Sequence, residues 1–169
     1  MKLAKVFKEN KQFTLFSILA LVVVGVAVFA PQIAPYDPLD AVMLESLQAP
    51  SSAHPFGTDK LGRDLLSRVI FGTRTSLVMT LCLVAVIFVI GTFLGIIAGY
   101  FGGIVDGVIM RIADMMISFP GLVLAIAIAG MLGPNLVNAV ISIAAVSWTK
   151  YARLARSMVL RVKKNLYIE

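Results

Sequence analysis

The chain has 169 residues, of which 59% are hydrophobic and only 14% charged, with a mean hydropathy of +0.94 and a net charge of +6. Soluble domains run at about 45–50% apolar and about 25% charged, so this composition excludes a disordered tail, a nucleic-acid module and most soluble enzymes. Stretches without an acidic or basic residue cover 25 positions between Lys11 and Asp37, 31 between Arg74 and Asp106, and 35 between Asp114 and Lys150. A bilayer core about 30 Å thick takes about 20 helical residues, so each stretch is long enough to cross it. The reading is an all-α, polytopic membrane protein.

Residues 1–31 read as a short basic N-terminus, carrying Lys2, Lys5, Lys8 and Lys11 against Glu9, followed by a first span over 12–31. Val28-Phe29-Ala30 resembles a signal-peptidase site, but Pro31 in the next position opposes cleavage, and the apolar run exceeds the usual 7–15 residues. The expectation is an uncleaved anchor.

The connecting segment 32–74 has two halves. Pro35, Pro38, Pro50 and Pro55 make its first part a poor helix and an ordered but irregular loop. From Thr58 or Asp59, either of which suits an N-cap, Leu61, Leu65, Leu66, Val69 and Ile70 fall on one face at helical spacing. Asp59–Arg63 and Asp64–Arg68 are acid-before-base pairs four apart. The pattern predicts an amphipathic helix over about 58–73, lying in the membrane interface. His54, the sole histidine, reads as a loop residue rather than a metal ligand.

The second span is expected over 75–99. Within it Gly91, Gly95 and Gly99 stand four apart on one stripe, which lets another helix approach backbone to backbone. Cys82 reads as a small buried hydrophobe. A Gly102-Gly103 turn leads to the third span, 107–132, with Asp106 available as its N-cap. Arg111 and Asp114, three apart, are positioned to pair within the membrane, and Pro120-Gly121 should kink the helix.

The long third stretch must break, and Gly133-Pro134-Asn135 is the place. The fourth span follows over 136–157, with Trp148 and Tyr151 as interfacial anchors at its inner end. Leu154, Met158 and Val162 recur every four residues among Lys150, Arg153, Arg156, Arg161, Lys163 and Lys164, so this helix should continue past the bilayer. Both ends are basic while the connections are not. With four spans this places both termini in the cytoplasm by the positive-inside rule.

Certain chemistry is missing from the sequence. It has no Gly-x-x-x-x-Gly-Lys-Ser/Thr phosphate loop and no His-Glu-x-x-His, and no acidic or basic cluster sits at mid-membrane. The chain should therefore not hydrolyse ATP by itself, and it lacks a built-in energy source and an evident ion-coupling relay. A secondary transporter or channel and a small membrane scaffold are among the readings open at this point.

His54-Pro55-Phe56-Gly57-Thr58-Asp59-Lys60-Leu61-Gly62-Arg63-Asp64 resembles the signature that precedes the core spans of dipeptide, oligopeptide and nickel ABC permeases, C-type subunit. The resemblance continues through Arg74-Thr75-Ser76-Leu77, Gly99-Tyr100-Phe101-Gly102-Gly103, Met110-Arg111-Ile112-Ala113-Asp114, Phe119-Pro120, Trp148, Tyr151-Ala152-Arg153 and Arg156. It implies a type I ABC importer permease fold with six spans in the complete subunit, in a bacterial or archaeal inner membrane. It implies as partners a second permease subunit, two cytoplasmic ATPases that carry the ATP and magnesium, and an extracytoplasmic solute-binding protein.

In that family the segment signed by Gly57, Thr58, Asp59, Gly62, Arg63 and Asp64 leads into the core. Residues 75–169 would be the core's N-terminal part, ending at Tyr167 and Glu169 as the start of a Glu-Ala-Ala loop that docks on the ATPase. The resemblance thus implies a piece of a longer protein. Dipeptide, oligopeptide and nickel all stay open as cargo.

Overall fold

The structure, a computed structural model, describes residues 10–164. The readings of Lys2, Lys5, Lys8, Tyr167 and Glu169 lie outside the described residues. Among the described residues every regular element is helical, and the only β pairing is an isolated bridge between Thr58 and Asp64. The chain divides into two compact units, Met1–Val78 and Met79–Glu169.

In the first unit, α1 (Lys11–Val28) is apolar around its whole circumference and exposes most of its leucines, valines and phenylalanines. That pattern suits lipid contact. A single turn, α2 (Ala30–Ile33), follows; Pro31 sits in its first turn, where the missing N–H costs nothing. The chain then runs irregularly through a 3-10 turn, Met43–Glu45, to α3 (Leu65–Phe101).

The helix expected over 58–73 therefore starts at Leu65 instead, and it continues unbroken into the second span as one helix of 37 residues. Residues 57–64 are held out of the helix by the contacts described below. At about 1.5 Å per residue, α3 exceeds what a bilayer core requires.

In the second unit, α4 (Gly103–Ser118) and α5 (Gly121–Leu132) take the place of the expected third span. They meet at 93° across Phe119-Pro120, so the expected kink is a right-angled break. Phe119 has φ −92° and ψ 147°, the extended conformation that a following proline imposes, and Pro120 has no N–H to carry the ladder on.

Helix α6 (Leu136–Lys163) runs 28 residues and passes the expected end at 157. Asn135 caps it by accepting the Val137 N–H at 2.9 Å, and the Asn138 amide donates to the carbonyls of Leu132 at 2.7 Å and Gly133 at 3.2 Å. Among the described residues two helices are long and apolar enough to cross a membrane, Lys11–Val28 and Leu65–Phe101, or three segments if the bent pair counts as one span.

The second unit is assembled on α6. Its buried residues are small or β-branched: Ser142, Ala144, Val146, Thr149 and Ala152. The hydroxyls of Ser142 and Thr149 donate back to the carbonyls of Asn138 (2.7 Å) and Val146 (3.2 Å), so neither is left unpaired. The glycine stripe of α3 lies directly against it. A Cβ added at Gly91 would stand 2.5 Å from the Trp148 carbonyl oxygen, at Gly95 2.3 Å from that of Ala152, and at Gly99 2.8 Å from the Val159 Cβ.

Phe88 meets Tyr151 edge-on at 6.0 Å beside the stripe. At the C-terminal end of α3, the Lys163 ammonium donates to the Tyr100 carbonyl at 2.7 Å, where the helix dipole favours a cation. Cys82, read as buried, is exposed on the outside of α3.

Overpacking a close helix contact costs about 1–3 kcal/mol. Gly95→Leu should therefore lower the thermal unfolding midpoint of the detergent-solubilised protein. Gly107→Ala, where nothing lies within 4 Å of the added Cβ and alanine is the better helix former, should not lower it.

Candidate functional site

Two polar assemblies stand out, one in each unit. The first is a knot built from residues 36–68. Gly57 and Gly62 both have positive φ, at 73° and 75°. A Cβ at Gly57 would lie 2.4 Å from the Gln48 carbonyl oxygen, and one at Gly62 only 1.8 Å from that of Val42. Only glycine fits either place.

Between the two glycines, Thr58 accepts the Gln48 N–H at 2.8 Å and donates its hydroxyl to the Glu45 carbonyl. The Asp59 carboxylate accepts the backbone N–H groups of Leu61 (2.8 Å) and Arg63 (3.1 Å), the Arg63 Nε at 2.9 Å, and the Arg68 guanidinium. Partial desolvation opposes ionisation of Asp59. The Arg63 side chain and the two N–H groups outweigh it, and hold the carboxyl at about 2.

Asp64 is the N-cap of α3: its Oδ2 accepts the Ser67 N–H at 2.7 Å. Its other oxygen stands 3.0 Å from His54 Nδ1, and the His54 Nε2 lies 3.3 Å from a Glu45 carboxylate oxygen. The Tyr36 ring covers the imidazole at 4.9 Å, and the Tyr36 N–H donates to Ser67 Oγ at 3.1 Å. Burial works against the Asp64 charge, but bonds from Ser67 and His54 hold its carboxyl below the usual carboxylate range.

The six signature residues Gly57, Thr58, Asp59, Gly62, Arg63 and Asp64 thus come together in one place. The sequence reading missed His54 and Glu45 as members. The 10-residue offset from His54 to Asp64 carries no helical or strand periodicity that could have joined them. Two capping expectations change: Asp64, not Thr58 or Asp59, caps the helix. Of the two predicted ion pairs, Asp59–Arg63 forms (2.8 Å) but across a turn, and Arg68 turns to Asp59 instead of Asp64.

The second assembly joins α4 to α6. Asp106 takes both Nε and Nη2 of Arg156 at 2.5 Å, a two-pronged contact in the preferred geometry for a guanidinium and a carboxylate. Asp106 is therefore not a cap; the cap position is Gly102, without a side-chain bond. Asp114 pairs with Arg153, which corrects the expected Arg111–Asp114 pair. On α4, Arg111 and Asp114 differ by three residues, yet Asp114 finds a partner on the neighbouring helix while Arg111 lies on an exposed groove with Ile104, Val108 and Met115. Among the described residues no group of three or more His, Cys, Asp or Glu is arranged to hold a metal.

The described residues thus form a helical membrane protein with an acid–arginine clasp between α4 and α6 and a glycine-pinned loop before α3. Residues 91–169 match the family described as the binding-protein-dependent transport system inner membrane component, and residues 2–50 match the N-terminal membrane domain of oligopeptide transport permease C. The chain belongs to this family of ABC importer inner-membrane permeases, C-type.

The probable D,D-dipeptide transport system permease protein of Escherichia coli (strain K12) is 40% identical over 168 residues, 99% of this chain and 56% of that protein. A glutathione transport system permease protein of Pectobacterium atrosepticum is 42% identical over 150 residues (88% and 50%). The nickel transport system permease protein of Escherichia coli (strain K12) is 38% identical over 134 residues (79% and 48%). The chain spans about half the length of the curated relatives it matches.

The depressed Asp59 carboxyl gives a pH prediction. A lowered folded-state value means the stabilisation is complete above the ordinary 3.8 and is lost as pH falls toward about 2. Amide exchange protection at Leu61 and Arg63 should hold at pH 5 and fall between about pH 4 and pH 2, ahead of the amides within α6.

Proposed function

We propose that this chain supplies part of the translocation pathway of an ATP-driven importer for di- or oligopeptides or for nickel, as one of two permease subunits. The observation that carries the reading is the run of family motifs that the fold uses structurally, from the glycine-pinned knot to the Asp106–Arg156 clasp. Four spans, 12–31, 75–99, 107–132 and 136–157, put the N-terminus and the basic end of α6 in the cytoplasm and the knot outside. Energy comes from two cytoplasmic ATPases holding ATP and magnesium, and cargo arrives on an extracytoplasmic binding protein that meets the knot. The chain itself is not an enzyme.

The α6 helix gives this arrangement a lever. It contacts α3 by close backbone approach and α4 by two ion pairs. Its C-terminal turns carry Arg161 and Lys163 toward the segment that the family docks on its ATPases. A push at that end is transmitted to α4 and to the elbow at Pro120. The Gly91, Gly95 and Gly99 stripe keeps the helices in register during the movement.

In the full-length protein, an ATPase pair should co-purify with this subunit, and uptake of cargo should stop when cellular ATP is depleted. Uptake indifferent to ATP depletion would favour a secondary transporter or channel. For sidedness, Lys164→Cys in a Cys82→Ala background should react with an impermeant maleimide only after the cells are opened. Labelling from outside intact cells would reverse the topology.

A further inference from the structure

The break at Pro120 leaves a cavity of about 340 Å³ inside the second unit, where the end of α4 and the start of α5 turn past α6. Sites for small molecules run from about 300 to 1,000 Å³ and are mostly apolar with a few placed polar groups. This cavity has that make-up. Phe119, Leu122, Ala125, Ile143 and Val146 give it apolar walls, while α6 supplies Ser147 and Lys150, three apart and so on one face of the helix. Thr149 also lines it, but its hydroxyl is spent on the Val146 carbonyl at 3.2 Å.

Lys150 differs from three cations further along α6. Arg153 and Arg156 are held by Asp114 and Asp106, and Lys163 by the Tyr100 carbonyl. Lys150 makes no hydrogen bond or ion pair among the described residues, and neither does the Ser147 hydroxyl. The lining residues include no carboxylate, imidazole or thiol. A cation beside apolar walls gains most from an anion, because such surroundings screen the pair less than water does. The same ammonium repels a bare divalent cation, for which the cavity has no carboxylate or imidazole ligand.

We propose that this elbow cavity is a cargo subsite for a short peptide with a free carboxylate. The Lys150 ammonium takes the carboxylate, the Ser147 hydroxyl donates to its second oxygen, and an apolar side chain lies between Phe119, Leu122 and Ile143. The proposal rests on the transport reading and narrows it: of the cargoes left open, the subsite fits peptides and not a nickel ion. Its walls come from both sides of the Pro120 break, so any movement at the elbow reshapes the subsite.

The test uses Ser147→Cys in a Cys82→Ala background, in the full-length subunit assembled with its transporter in phosphatidylcholine nanodiscs. Reaction of the introduced thiol with N-ethylmaleimide is followed by peptide mass spectrometry. Millimolar leucyl-leucine should slow it about threefold or more, as a ligand at about twice its Kd does. Leucyl-leucine amide, which lacks the carboxylate, should not. Lys150→Gln should abolish the protection and Lys150→Arg should retain it; neither should move the thermal unfolding midpoint, since Lys150 holds no other group.

Equal protection by the amide, or protection that survives Lys150→Gln, overturns the subsite. So does a thiol that never labels. A thiol shielded by added phosphatidylglycerol and untouched by the dipeptide gives the cavity to lipid and overturns it too. Labelling needs neither ATP nor uptake, so the subsite can fail while ATP-dependent uptake stands, and the two failures are told apart.

Discussion

Lipid supplies no hydrophobic drive for one apolar helix to leave its neighbours and join another. A membrane bundle must instead gain from close van der Waals approach and from polar groups that find each other. This constraint explains why α6 is built as it is. Its inward face is alanine, serine, threonine and valine, and it meets a stripe where a single methyl at Gly95 would strike the Ala152 carbonyl at 2.3 Å. Its serine and threonine hydroxyls bond to their own helix, and Arg153 and Arg156 are spent on Asp114 and Asp106. Large apolar side chains point outward, the reverse of a soluble core.

The first unit solves a different problem in a different way. A proline-broken segment of some thirty residues has no regular hydrogen-bond ladder, so its backbone groups must be met by side chains. Asp59 serves two N–H groups and two guanidinium groups, Thr58 meets two backbone groups of the 45–48 segment, and Asp64 both caps a helix and holds a histidine. Together they tie residues 36–68 into one hydrogen-bonded collar ahead of α3.

Much of this was legible in the residues. Charge-free runs located the apolar helices, and Pro120 located the break, because a proline's lost N–H and its effect on Phe119 are local events. The angle of 93° was not legible, since it depends on what α5 packs against. The stripe at Gly91, Gly95 and Gly99 announced a groove but not its occupant, which is set by the turn at Gly133 and the course of α6. The false start of the helix at Thr58 shows how periodicity misleads. Leu61 has the right spacing, but the positive φ at Gly62 and the Asp59 bonds outcompete helical hydrogen bonding there. The Arg111–Asp114 pair failed for a related reason: neighbours on one helix compete with a better-placed arginine on the next, here Arg153.

The account stands or falls on α6 as the strut to which α4 is fastened by matched charge. A charge-swap cycle at Asp106 and Arg156 tests this most directly, because it separates the pair from each residue's separate effects. Asp106→Arg and Arg156→Asp alone should each lower the unfolding midpoint of the membrane-embedded protein and halt uptake by the complete subunit. The double exchange should recover most of both. If the double variant is as damaged as the two single changes added together, the two residues do not act as a pair and the clasp is wrong.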